Sequence, residues 1–110
     1  MESNQVLSSF SALSQKTRLD VFRLLINAGT TGLLAGELAE KLDVKQNTMS
    51  ANLTVLLNAG LVRNERQGRT IRYFAEFGAL QGLLAFLMED CCGGRPELCK
   101  PIIDEIACAC

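Results

Sequence analysis

The stretch "KLDVKQNTMSANLTVLLNAGLVRNERQGRTIRYF", residues 41–74, changes its period halfway along. In its first half Met49, Leu53 and Leu56 or Leu57 recur every three to four residues, which predicts a helix with one inward face, and Gly60 is placed to end it. From Leu61 onward the pattern alternates loosely, with Val62 before a turn at Gln67-Gly68 and Ile71 and Tyr73 after it. That alternation predicts a two-stranded hairpin, with Arg63, Arg66, Arg69 and Arg72 on or near it.

Working outward, "AGELAEKL" (35–42) reads as a short helix with Leu38 and Leu42 one turn apart, closing at Asp43-Val44. Upstream, "SSFSALSQKTRLDVFRLLINAG" (8–29) reads as two helices. Ser14 is the expected cap of the second, and Leu19, Phe22, Leu25 and Ile26 share its inner face up to Gly29. "TTGLL" (30–34) is read as a plain connector. Downstream, "GALQGLLAFLMEDCC" (78–92) returns to helix with Leu80, Leu83, Leu84 and Leu87 as an apolar stripe, broken by Gly93-Gly94 and Pro96. "KPIIDEIACAC" (100–110) suits a last short helix with Pro101 in its first turn.

The expected fold class is mainly α with a small β-hairpin, a winged helix-turn-helix, dimeric. One domain is expected over 1–110: helix-turn-helix at about 35–58, wing at 62–75, dimerisation helix at 77–92 and a Cys-rich tail at 93–110. Val6, Leu7 and Phe10 of the first helix, with Leu80, Leu83, Leu84 and Leu87, are the expected dimer interface.

Composition narrows the function. The N-terminus lacks a basic segment followed by an apolar run, and no stretch approaches the roughly 18 apolar residues of a membrane span, so a cytoplasmic protein without a membrane partner is expected. In that compartment thiols stay reduced, and five cysteines, an odd number, do not make a secreted disulfide framework. Residues 45–75 carry five basic residues against Glu65 alone, whereas residues 76–110 carry six acids against Arg95 and Lys100. A basic middle between acidic flanks suits one phosphate-facing side. The candidate contacts to double-stranded DNA are Lys45, Gln46, Asn47, Thr48, Ser50 and Asn52 on the second, reading helix of the helix-turn-helix and Arg66, Arg69 and Arg72 on the wing. Arg63 and Arg72 could instead pair with Glu65 or Glu76. An enzyme of thiol chemistry would need a Cys-x-x-Cys or an activated nucleophile beside a phosphate-binding loop, and the chain has neither, so no enzymatic activity and no organic cofactor are expected.

From Ser9 to about Phe77 the chain resembles the ArsR/SmtB family of bacterial metal-responsive repressors. "LSQKTRLDVFRLL", "ELAEKLDVKQNTMSANLTVLLNAGLV" and "RQGRTIRYF" carry the resemblance. It departs from the family pattern in three places. Asn52 stands where many members have histidine on the reading helix. "LLAGELAEKL" lacks the Cys-Val-Cys of one arsenic-sensing group. The chain has no histidine for the zinc site of the last helix. What remains is "CCGGRPELC" (91–99), which resembles the Cys-Cys pair and third cysteine of a subgroup of arsenic repressors.

Soft thiolates without nitrogen donors favour thiophilic ions. Trivalent arsenic (arsenite) or antimony takes three sulfurs, and Cys91, Cys92 and Cys99 supply that number, with Gly93-Gly94 letting the chain turn. Cys108 and Cys110 form a candidate auxiliary pair. The resemblance thus implies a repressor of an arsenic-resistance operon, released by the ion. The alternative is a thiol-redox-switched or zinc/cadmium-responsive repressor. Adjacent cysteines, with α-carbons about 3.8 Å apart, bridge each other poorly, but a bridge from Cys99 to one of the pair is open.

Overall fold

The computed structural model describes residues 1–89 and 96–108. Its elements run α1 (Ser3–Leu13), α2 (Lys16–Ala28), β1 (Leu33–Leu34), α3 (Ala35–Leu42), α4 (Gln46–Asn58), β2 (Val62–Gln67), β3 (Thr70–Ala75), α5 (Phe77–Leu87) and α6 (Pro96–Cys108). The three strands form one antiparallel sheet in the order β1-β3-β2.

Helix ends follow local chemistry. Ser14 does not cap α2; it closes α1, its N–H bonding to the Ser11 carbonyl oxygen. The cap of α2 is Gln15, one residue later, whose side chain accepts a 2.9 Å bond from the Arg18 N–H. The longer amide reaches from an extended backbone. On α2 the buried residues are Val21, Phe22 and Leu25, whereas Leu19 is exposed, so the inner face is turned from the one expected.

Both helices of the helix-turn-helix end in the same way. At the end of α4, Gly60 adopts a left-handed conformation (φ 76°), its N–H bonds to the Leu57 carbonyl, and the Leu61 N–H bonds to that of Leu56. Leu56 and Leu61 are both fully buried, completing a Schellman cap with its apolar contact. At the end of α3, Asp43 (φ 52°) takes the left-handed place, with bonds from Asp43 N–H to Glu40 and from Val44 N–H to Ala39.

The connector "TTGLL" is not plain. Leu33 and Leu34 form β1, paired with Tyr73 and Arg72 of β3, so the hairpin becomes a three-stranded sheet. Leu34 is also the N-cap residue of α3, its N–H bonded to the Glu37 side chain at 2.8 Å. In the hairpin Gln67 pairs with Thr70, which makes Gly68-Arg69 the turn, one residue later than expected. Gly68 alone of those two has positive φ (65°), as a type II′ turn requires. At the base of the hairpin the Glu76 N–H bonds to the Leu61 carbonyl at 2.8 Å.

The core draws on all these elements. Val21, Leu25, Leu38, Met49, Leu53, Leu56 and Leu61 are its most enclosed apolar side chains. Fully burying each such side chain contributes about 1.5–3 kcal/mol. α5 ends at Leu87, short of the expected 92, with Met88 as its C-cap. α6 begins at Pro96, four residues before the expected last helix, and Pro101 lies inside it rather than in its first turn.

Candidate functional site

The core-facing arc of α4 carries Met49, Leu53 and Leu56; its outward arc carries Asn47, Ser50 and Thr54. Lys45, Gln46, Asn47, Thr48 and Ser50 are all exposed at or near the N-terminal end of this helix. That end is where a helix entering the major groove meets base edges. Between α4, the start of α3 and the wing runs a groove of about 360 Å³, lined in part by Gly36, Gln46, Ser50, Arg69, Thr70 and Ile71. The structure therefore brings Gln46 and Ser50 of α4 together with Arg69 of the wing tip. Gly36 and Thr70 were not singled out in the sequence, because only the fold lays the start of α3 beside β3.

One expected DNA contact is placed elsewhere, and another is held on the wing by neutral partners. Asn52 is only 8% exposed and accepts a 3.2 Å hydrogen bond from the Arg18 guanidinium, so it faces the interior rather than a groove. Asn52 falls on the same arc as Met49, Leu53 and Leu56, and helical period sets that direction whatever the polarity. Arg72 is half-buried and pinned, donating to the Gln67 side-chain oxygen at 3.0 Å and to the Thr31 carbonyl at 3.3 Å. Its partners are neutral oxygens, not the Glu65 or Glu76 carboxylates. Arg63 does pair with Glu65 at 3.0 Å and Glu76 at 3.3 Å, and its guanidinium lies 4.2 Å from the centre of the Phe74 ring. Its charge is balanced locally. Arg66, Arg69 and Lys45 are exposed and have no ion-pair partner among the described residues.

The expected dimer residues split. Leu7 (66%), Phe10, Leu84 and Leu87 (60%) are exposed, and Leu80 is partly buried. Val6 and Leu83, 4% and 3% exposed, belong to the protomer's own core and offer nothing to a partner. The stripe on α5 is about 100° wide, so its edges, Leu83 and Leu84, meet different surroundings. Beside Leu84 an apolar groove of about 580 Å³ is lined by residues of α5, Met88 and Ile103 of α6.

Of the thiols, Cys99 is buried on α6 and disulfide-bonded. Cys91, Cys92 and Cys110 lie outside the described residues, as does the side chain of Cys108. Among the described residues no group of three or more His, Cys, Asp or Glu side chains is placed to hold a metal ion. The donor set that the chain offers to an ion is sulfur and carboxylate, with no imidazole. Among the described residues no helix is long and apolar enough to cross a membrane.

Comparison with known proteins agrees with this architecture. Residues 13–65 match the family model described as "Helix-turn-helix domain". An uncharacterized HTH-type transcriptional regulator of Bacillus subtilis is 33% identical over 90 residues, spanning 71% of this chain and 90% of that one. The structure of an ArsR-like transcriptional regulator from Rhodococcus is 30% identical, with a TM-score of 0.70 over 94% of this chain and 93% of that one. A homodimeric winged helix-turn-helix DNA-binding domain from Mycobacterium bovis is 28% identical, with a TM-score of 0.63 over 79% of this chain and 81% of that one. With α3 and α4 as its helix-turn-helix and β2–β3 as its wing, the chain belongs to the ArsR family of DNA-binding winged helix-turn-helix transcriptional regulators.

Proposed function

We propose that the protein is a homodimeric repressor that holds operator DNA through α4 and the wing and releases it when trivalent arsenic or antimony is captured by Cys91, Cys92 and Cys99. The observation that carries the arsenic reading is the concentration of all five cysteines in the last 20 residues of a chain without histidine. Three thiols displace three waters from arsenous acid and give a three-coordinate thiolate, with no fourth donor needed. On the DNA side, Gln46, Asn47 and Ser50 read base edges, while Lys45, Thr48, Arg66 and Arg69 hold phosphates. Two copies joined through Leu7, Phe10, Leu84 and Leu87 set two reading helices about 34 Å apart. The homodimeric Mycobacterium bovis domain supports this assembly. The buried position of Cys99 on α6, whose Ile103 shares a groove with α5, supports a path from the thiols to the dimer face. Ion and DNA then oppose each other through one coupling free energy.

The test uses reduced protein and a duplex that it enriches from a random library, titrated with arsenite, antimonite, zinc and cadmium. Arsenite and antimonite release the duplex. Cys91→Ser, Cys92→Ser and Cys99→Ser keep DNA binding and lose that release, whereas Cys108→Ser and Cys110→Ser keep both. Four sulfurs around a tightly held zinc in the protein as isolated would overturn the arsenic reading.

The disulfide at Cys99 favours a second reading, a thiol-redox switch. Two thiols would pass two electrons and two protons to an oxidant such as diamide and form one disulfide. On that reading the oxidised protein, two mass units lighter than the reduced one, loses the duplex with no arsenite present.

A further inference from the structure

Arg18 lies at the start of α2, one helical turn before Phe22 and two before Leu25. A charge on that buried stripe needs partners, because an unpaired charge there would be costly. Its guanidinium finds two, and they belong to two other helices. Nε donates to the carbonyl oxygen of Ala12, at the end of α1, and Nη1 donates at 3.2 Å to the side-chain oxygen of Asn52, in the middle of α4. The guanidinium has only donors, so the atom of Asn52 that faces it must be the oxygen.

Among the described residues this is the one side-chain hydrogen bond that ties α4 to another element. The remaining hold on α4 is apolar, through Met49, Leu53 and Leu56. Apolar contact is non-directional. It buries the helix but sets no single bonding direction, and a small rotation about the helix axis would move Gln46, Asn47 and Ser50 sideways across the groove. A charge-assisted hydrogen bond has a preferred line and length.

We propose that Arg18 and Asn52 are a positioning pair that fixes the rotation of the reading helix α4 against α1 and α2, and so sets sequence-specific DNA affinity without touching DNA. The proposal rests on the reading of α4 as the DNA-reading helix. It also joins two faces: Ala12 is on the helix that carries Leu7 and Phe10 outward, so a shift of α1 at a subunit contact reaches α4 through one side chain.

The experiment compares full-length wild type with Asn52→Leu, Asn52→Asp, Arg18→Lys and the double variant Arg18→Lys/Asn52→Leu. Each is measured for affinity to the enriched duplex, affinity to a random duplex, and thermal unfolding. Asn52→Leu keeps the shape and removes the acceptor. It should bind the enriched duplex about tenfold more weakly, with random-duplex affinity unchanged. Asn52→Asp keeps an acceptor and should restore most of the loss. Arg18→Lys keeps the charge but cannot reach both partners, so it should resemble Asn52→Leu, and the double variant should be no worse than either single. A purely structural role would lower both affinities in step with unfolding temperature. Wild-type specificity in a folded Asn52→Leu, or in Arg18→Lys should Asn52→Leu fail to fold, overturns the pair. Equal losses in Asn52→Leu and Asn52→Asp, adding to that of Arg18→Lys, also overturn it and make Asn52 a direct base contact. A wild-type protein that enriches no duplex would overturn the DNA reading itself, and the pair with it.

Discussion

A β-carbon on Gly32 would stand 2.4 Å from the Tyr73 carbonyl oxygen and 2.7 Å from the Phe74 ring, at a φ of +65°. Gly68 has the same φ but nothing within 4 Å of such an atom. Gly68→Ala should therefore cost only the positive-φ backbone penalty, about 1–3 kcal/mol, while Gly32→Ala adds overpacking and should lose about 2–5 kcal/mol. Urea unfolding of the two variants separates these contributions. At the same scale, Arg69 and Arg63 should differ. Arg69→Ala should weaken binding to all duplexes and lower the salt slope by about 1, as loss of one phosphate contact does. Arg63→Ala should leave the slope unchanged, because Glu65 and Glu76 already balance that charge; a reduced slope would show that Arg63 meets DNA. Single residues were also where the sequence was least legible. Asn52 looked like a reading residue by type, and only its place on the buried arc shows otherwise. Arg18 was not singled out, because its partners are 6 and 34 positions away.

Elements were more legible, because period and punctuation are local. The helix-turn-helix and the wing strands follow from apolar spacing and from Gly60 and Gly68. β1 was missed because two leucines have no period, and their strand exists only through pairing with β3. The left-handed residue that ends α3 is Asp43, not the usual glycine. Asp43→Gly should raise stability by about 1 kcal/mol by removing the β-carbon penalty, and Asp43→Val should lower it by about 1–2 kcal/mol. Thermal melts check both. On α5 the neighbours Leu83 and Leu84 give opposite outcomes. Leu83→Glu puts a charge into the protomer core and should unfold the protein, with a loss above about 3 kcal/mol. Leu84→Glu should stay folded and sediment as a monomer. If Leu84→Glu remained a dimer, α5 would not be the subunit contact.

At the scale of the molecule, fold class was legible because helices and one hairpin in this order permit few packings. The proposed thiol site was legible only as composition. Three cysteines in nine positions offer sulfur donors, but the burial of Cys99 on α6 and its disulfide are properties of the fold. The arrangement of the sheet carries one more consequence, for how such a protein can vary in length. β3 is paired on both sides, with Leu33 and Leu34 on one edge and Val62–Gln67 on the other. An inserted residue at the Gly68-Arg69 tip lengthens a free loop and changes no pairing. One inserted between Arg72 and Tyr73 would slip the register on both edges at once and turn Tyr73, now 7% exposed, to the opposite face of the sheet. Wing reach is therefore adjustable at its tip alone, and tolerated insertions and deletions should collect between Gln67 and Thr70.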